Sequence, residues 1–425
     1  MVAEMKALIL AGGMGVRLRP ITDTRPKPLI PILCRPILDW HLSNLSRINV
    51  IDSVRIVVSY MKEKIQSFVE NRGYGVQYEF IDQVEELGTG DAVIKGVKGL
   101  GYDDEILIVY GDVYLSDLSI IEKIASMDGN VVLGARVGDP EKYGVLIVEN
   151  GFLKRIEEKP VNPPSNLVFT GISKLKVGDV IEHSDIGFSV RGEIEFTDIL
   201  TRIANSRRLR VIEIDGENWV DIGYPWNVIE ANKLALKSIG RDIRGLIEDH
   251  VTIKGNVYVG EGSEIKSGTY IEGPVYIDKH VEVGPNARIR PYSVICSGSR
   301  IGFSVEVKES VIMENVHASH LSYIGDSVIC ENVNLGAGTM IANLRFDNKP
   351  VKVTINGKRI SSGRRKFGAV IGANVKTGVN VSIMPGVKIG SNTWISPGSV
   401  VWVDVPQNSF YKSSVSYTIE ELKEH

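Results

Sequence analysis

Aliphatic residues recur six positions apart through most of the second half of the chain. Ile253, Val259, Ile265, Ile271, Ile277, Val283, Ile289, Ile295, Ile301, Val307 and Met313 form the longest run. The spacing returns at Ile329, Leu335 and Ile341, and again at Ile371, Thr377, Ile383, Ile389, Ile395 and Val401. A helix repeats at about 3.6 residues and a strand at about 2, so neither explains the pattern. Short strands that each turn one aliphatic residue inward along a stacked coil do explain it. The expected architecture is a parallel β-helix of hexapeptide repeats. The first half shows no such repeat, so the chain divides into residues 1–240 and 250–425. A charged connector at 240–249 lies between them.

The bulk numbers exclude some classes. A chain of 425 residues is long enough for two or three domains. A net charge of −3 gives no global attraction to nucleic acid or to an anionic membrane, and neither is expected as a partner. No apolar run approaches the roughly 20 residues that span a bilayer. The start of the chain leads directly into a strand, and no signal peptide is expected. Cys34, Cys296 and Cys330 are far apart and odd in number. They point to a reducing compartment, core packing and no disulfide framework. Together these features predict a cytoplasmic location.

In the first half, strand-like and helix-like runs alternate. Strands are expected at 6–10, 53–59 and 105–109, and helices at 35–45, 61–71 and 227–239. This order predicts an α/β domain with a mostly parallel sheet and helices on both faces. The repeat of the second half breaks twice. Over 314–326 the hexad count slips and admits His317 and His320. From 342 to 368 a basic excursion leaves the coil, carrying Arg345, Lys349, Lys352, Lys358, Arg359, Arg364, Arg365 and Lys366. Breaks in a uniform solenoid are where sites sit. A charge run is more often a solvated loop.

The first strand ends in Leu10-Ala11-Gly12-Gly13-Met14-Gly15-Val16-Arg17. Glycines at a strand's C-terminal end let backbone N–H groups approach an anion. Leu18 breaks the dinucleotide-binding fingerprint, and no Gly-Lys-Ser/Thr follows to make a P-loop. Arg17 follows the loop at once, and Lys27 stands in Arg25-Pro26-Lys27-Pro28. Two cations beside such a loop suit the charge that develops as pyrophosphate leaves.

The run LAGGMGVRLRPITDTRPKPLIPI resembles the signature of the sugar-1-phosphate nucleotidylyltransferases, and the likeness extends over about residues 5–235. It implies direct displacement at the α-phosphorus of UTP or dTTP by a sugar 1-phosphate, with Mg²⁺ as cofactor. Arg17 and Lys27 would be catalytic. Gly12, Gly13, Gly15, Gln83, Gly88 and Thr89 would bind the nucleotide. Asp112 in Tyr-Gly-Asp-Val and Asp221 in Trp-Val-Asp-Ile-Gly would hold the metal. Gly144, Glu158 and Lys159 would bind the sugar phosphate. Each residue also suits a plainer role. The glycines could form a tight turn, and the two aspartates could cap helices. The ordered set favours function.

In the second half, His320-Leu321-Ser322-Tyr323 and Asn332-Val333-Asn334-Leu335-Gly336 lie downstream of Arg288-Ile289-Arg290-Pro291 and Glu306-Val307-Lys308. This set is similar to the acetyltransferase half of bifunctional N-acetylglucosamine-1-phosphate uridylyltransferases, in the variant of the archaeal members. It implies a left-handed β-helix, a homotrimer with sites between subunits, and acetyl-CoA as donor. His320 would be the general base of N-acetylation. Arg290, Lys308 and Lys349 would hold the sugar phosphate, and Tyr323, Asn334 and Asn343 the sugar or acetyl group. His317 is read as structural. The expected function is bifunctional: acetylation of an amino-sugar 1-phosphate, glucosamine 1-phosphate first, and nucleotidyl transfer to N-acetylglucosamine 1-phosphate or glucose 1-phosphate. Two alternatives stand. In one, a single nucleotidylyltransferase carries a coil that only trimerises or regulates. In the other, the chain is a sensing or scaffolding subunit, against which intact Arg17, Lys27, Asp112 and Asp221 argue.

Overall fold

A computed structural model describes residues 5–414, 418 and 419. The chain forms two compact units. One comprises residues 1–18 and 25–238, and the other 19–24 and 239–425.

The first unit is built on a nine-stranded sheet. Its order is Gln77–Asp82, Ile51–Val58, Met5–Leu10, Glu105–Tyr110, Leu167–Lys176, Asn130–Arg136, Leu209–Asp215, Phe152–Glu158 and Gly144–Glu149. The first four strands run parallel, as β-α-β crossovers require. The second half is mixed. Leu167–Lys176 lies antiparallel to both neighbours, and Gly144–Glu149 with Phe152–Glu158 is an antiparallel hairpin. Helices cover both faces. One face packs on Leu38, Leu42 and Leu45 of helix Ile37–Leu45 and on Ile65 and Val69 of helix Lys62–Glu70. The other packs on Val93 and Val97 of helix Thr89–Val97 and on Phe196, Ile199, Leu200 and Ile203 of helix Phe196–Ser206.

The second unit is a left-handed parallel β-helix whose three sheets hold 8, 9 and 8 strands. The aliphatic ladder forms its core, with Val259 through Val307 buried in step. The coil begins earlier than its obvious hexads. Ile243 pairs with Val259 and Ile247 with Ile265, so the expected connector is already the first coil. Thr377 occupies an inward position. Its hydroxyl bonds Thr339 Oγ1 at 2.9 Å and accepts from the Gly336 N–H at 2.9 Å. A buried hydroxyl is tolerated when it is satisfied in this way.

The slip in the count also begins earlier than expected. Ile295 pairs with Ile312, not Met313, and Ile312 pairs with Ile329. Two successive coils therefore hold one residue fewer than the regular coil. The residues are lost between Val307 and Ile312 and between Ile324 and Ile329, at the corners carrying Glu309 and Asp326. Both residues adopt left-handed conformations, with φ of +42 and +51. Many left-handed corners elsewhere hold glycine or asparagine, although His250, His280, Tyr292, Ser304 and Leu321 also adopt this conformation. Asn315, Asn332, Asn374, Asn392 and Asn408 stack along one corner, each amide donating to the next at 2.9–3.3 Å.

The basic excursion is not a solvated loop. Lys352–Ile355 pairs antiparallel with Lys358–Ser361, joined through Asn356 and Gly357 at positive φ. Val351, Val353 and Ile355 are buried, and this alternation explains why a charged run orders as a hairpin. Cys296 and Cys330 are buried, as the core reading expects.

Candidate functional site

In the first unit, antiparallel pairing of Val113–Leu115 with Trp219–Asp221 sets Asp221 opposite Val113. The Ile222 N–H then donates to the Asp112 carbonyl at 3.0 Å. Two carboxylates distant in sequence thus share one place. Neither caps a helix, because the next helix after Asp221 starts at Pro225 with Tyr224 as its N-cap. Lys27 Nζ contacts Asp112 Oδ2. A Cβ on Gly223 would meet Asp221 Oδ2 at 3.2 Å and Arg17 Nη2 at 3.5 Å, so the Arg17 guanidinium borders the same space. Arg17 lies 4.8 Å above the Tyr224 ring, which stacks on Trp226 at 4.7 Å. That cation–π contact fixes the arginine. Burial pushes the Asp221 carboxyl above its ordinary pKa, and the Asp112 charge adds to this. Lys27, Arg17 and Lys159 oppose the shift.

The glycine loop faces Gln83. A Cβ on Gly12 would sit 2.9 Å from Gln83 Oε1, so only glycine allows this approach. Gln83 is 5% exposed, and its Nε2 donates to the Gly88 carbonyl at 3.1 Å and to Asp91 Oδ2 at 2.8 Å. Both amide hydrogens are committed, and Oε1 is the atom turned to the loop. Gly88 has φ +123, and a Cβ there would lie 2.5 Å from the Ile194 carbonyl. Thr89 Oγ1 accepts from the Phe196 N–H at 3.1 Å.

Beside Gly144, Glu158 accepts from Thr197 Oγ1 at 3.4 Å and from Arg191 Nη1 at 2.8 Å. Lys159, with φ +48, reaches back to Glu158 at 3.6 Å. Tyr224, Asp91 and Arg191 were not singled out from the sequence. The ring beneath Arg17 lies far along the chain, and Asp91, eight residues after Gln83, stands in a helix that no motif marks.

In the second unit, one polar cluster gathers several expected residues. Lys308 Nζ lies 2.9 and 2.8 Å from the two oxygens of Asp326. Asn343 Nδ2 donates to Asp326 Oδ2 at 2.6 Å and to Tyr323 Oη at 3.0 Å. Arg290 pairs with Glu306 at 2.9 Å. Burial raises the Tyr323 phenol pKa, as do the charges of Asp326 and Glu306. His320 ends strand His317–His320 next to this cluster in sequence and is exposed. Leu321 turns the corner after it at φ +44 with 53% exposure. Asn334 lies elsewhere on the coil, in register with His317. Lys349 sits exposed on the excursion, its N–H on Asp347, and does not join the cluster. Arg364 does join it, 2.6 Å from Glu309 and 3.6 Å from Asp326.

Comparison with known proteins agrees with this two-part anatomy. The family model described as nucleotidyl transferase matches residues 6–238. The GMPPB C-terminal domain model matches residues 271–367, and the bacterial transferase hexapeptide model 368–401. A protein of Sulfurisphaera tokodaii named bifunctional sugar-1-phosphate nucleotidylyltransferase/acetyltransferase is 48% identical over 412 residues, covering 96% of this chain and 100% of that protein. The bifunctional protein GlmU of Methanocaldococcus jannaschii is 42% identical over 423 residues, covering 99% of this chain and 100% of that protein. That of Methanococcus aeolicus is 41% identical over 410 residues, covering 96% and 97%. Both activities stand in the first relative's name, which the single-activity alternative does not account for. No helix among the described residues is long and apolar enough to cross a membrane. The chain belongs to the nucleotidyl transferase family, among the bifunctional sugar-1-phosphate nucleotidylyltransferase/acetyltransferases.

Proposed function

We propose that the second unit acetylates an amino-sugar 1-phosphate, glucosamine 1-phosphate first, and that the first unit joins a sugar 1-phosphate to UMP or dTMP. The observation that carries the nucleotidyl half is the meeting of Arg17, Lys27, Asp112 and Asp221 beside the glycine loop. An oxygen of the sugar phosphate forms the new bond to the α-phosphorus, and the bond to the β-phosphate oxygen breaks. Pyrophosphate leaves with the electron pair. Arg17, held by Tyr224, and Lys27, turning from Asp112, would neutralise that charge. Glu158 and Lys159 would orient the sugar phosphate for in-line attack.

Mg²⁺ fits the carboxylate pair. Among the described residues no cluster of three or more His, Cys, Asp or Glu side chains forms a full cage. Two carboxylates plus substrate oxygens are what Mg²⁺ usually takes. Burial and the neighbouring Asp112 charge both push the Asp221 pKa up, and a bound cation would oppose that push. Asp112 and Asp221 would hold the ion, which would supply charge neutralisation on the reacting phosphates.

Gln83 Oε1 would accept the imide N–H of uracil or thymine, since its amide hydrogens are engaged by Gly88 and Asp91. Cytosine and adenine present an acceptor at that position and would be repelled.

In the second unit His320 would take a proton from the sugar amine as nitrogen attacks the thioester carbon. The C–N bond forms, the C–S bond breaks, and the CoA thiolate leaves. Arg290 and Lys308 would hold the phosphate, with Lys349 and Asn334 joining from a neighbouring copy or on closure. Tyr323 and Asn343 would orient the sugar. Leu321, Met340 and Phe346 are exposed apolar side chains near these residues. A second copy would cover them, which supports a homotrimer with sites at the subunit contact. UTP and acetyl-CoA are cytoplasmic donors, which supports a cytoplasmic location.

The test is a substrate panel on the full chain, scoring CoA release with glucosamine and galactosamine 1-phosphates and pyrophosphate release with each nucleoside triphosphate. His320→Ala should lower CoA release by roughly 10²–10⁴ and leave pyrophosphate release intact. An equal fall in both would refute the base assignment, and absence of CoA release in the wild type would refute the acetyl half.

A further inference from the structure

We infer that Arg364, from the excursion, is a positioning residue of the acetyl-transfer site. The inference rests on the proposed reading of that site. The excursion leaves the coil at Asn343 and returns at Phe367, whose N–H donates to the Asn343 carbonyl at 2.9 Å. A bridge between Leu344 and Lys366 and a bond from the Val351 N–H to the Arg364 carbonyl at 2.9 Å close its base. The Arg364 side chain reaches from this base to the coil. It meets Glu309 at 2.6 Å and Asp326 at 3.6 Å while only 15% exposed.

Glu309 and Asp326 stack on successive corners, and each corner is one residue short. Both hold left-handed conformations that a glutamate or aspartate adopts at a cost. A corner of this kind, kept with charged residues, places two carboxylates that a regular coil would not place. Asp326 is the hub. It receives Lys308 on both oxygens and Asn343 on Oδ2, with Arg364 3.6 Å from Oδ1. Asn343 in turn donates to Tyr323. Arg364 and Asn343 stand on opposite legs of the excursion, and both hold the same carboxylate. Arg364 therefore clamps the excursion's root. It also shares the charge of Asp326 and Glu309, so that Lys308 does not carry it alone. Its Nη2 meets both carboxylates from a rigid planar group, at 2.6 and 3.6 Å.

The experiment uses full-length Arg364→Ala and Arg364→Lys enzymes. CoA release from acetyl-CoA with glucosamine 1-phosphate and pyrophosphate release from UTP are measured on the same preparations. In Arg364→Ala the kcat for acetyl transfer should fall by roughly 10–100-fold, the scale of a small misplacement of reacting groups. The KM for acetyl-CoA and the rate of pyrophosphate release should stay unchanged. Arg364→Lys should recover part of the kcat with an unchanged oligomer size, and it carries the test where the alanine variant fails to fold. Wild-type kcat in either variant, or an equal loss of both activities, overturns the positioning role alone. A wild type without CoA release overturns the underlying reading and this inference with it.

Discussion

Lys308 rests its ammonium on both carboxylate oxygens of Asp326, at 2.9 and 2.8 Å, and that carboxylate is 1% exposed. Removing one partner of a buried pair costs up to roughly 3–5 kcal/mol, because the other charge stays buried. Asp326→Asn should lower the thermal transition of the coil unit and abolish most CoA release. Pyrophosphate release should persist. An unchanged melting curve would show that the carboxylate is not the hub of its cluster.

Asp91 fixes the orientation of the Gln83 amide by accepting from Nε2 at 2.8 Å. In Asp91→Asn the new amide can donate as well as accept, so the Gln83 amide is free to turn over. The ratio of kcat/KM for UTP over CTP should fall by about tenfold, the equivalent of one misdirected hydrogen bond. Equal losses for both nucleotides would point to simple loss of packing.

Chelation tests the carboxylate pair. Excess EDTA should suppress pyrophosphate release, and Asp112→Asn should lower it by at least ~10² with saturating Mg²⁺. Full activity in EDTA would remove the metal from the mechanism. CoA release provides the internal control, since its proposed residues include neither aspartate.

His41 gives a pH signature. It is fully buried, with Nε2 2.9 Å from the Val113 carbonyl, and burial lowers its pKa from 6.5 to about 4. The unfolded chain then binds a proton at a pH where the folded chain does not. Stability contributed by the neutral ring is present above pH 6.5 and is lost as pH falls toward 4. The gap is worth about 3 kcal/mol at its limit. Calorimetry between pH 7 and 4.5 should show a steep fall in the first unit's transition, and a shallower fall in His41→Asn. Identical slopes would mean that another group dominates acid unfolding.

Much of the fold was legible because burial leaves a period. Ile265, Ile271 and Ile277 announced a coil, and all three are core. The first coil was hidden because Ile243 and Ile247 sit among charges that read as a linker. The slip was placed late because Met313 keeps the six-residue step although Ile312 is the residue that pairs. The antiparallel strand Leu167–Lys176 could not be read, since a buried strand has the same composition in either direction. The sites divide in the same way. Asp112 and Asp221 stand in short local motifs. Arg364 stands in a charge run, and its partners lie on coils far upstream in sequence, so nothing local separated it from Arg359 or Arg365.

The two shortened corners also bear on how such a protein can change. In a repeating solenoid, sequence can drift widely as long as each coil keeps its length. Here the location of a chemical centre is encoded in an omission, one residue at each of two successive turns. A single inserted residue beside Glu309 would restore the common length. It would give that corner the residue count of the regular coil and withdraw one carboxylate from the cluster, without altering any side chain in it. Over lineages, this half of the molecule should tolerate substitution at many positions and tolerate no change of length at these two.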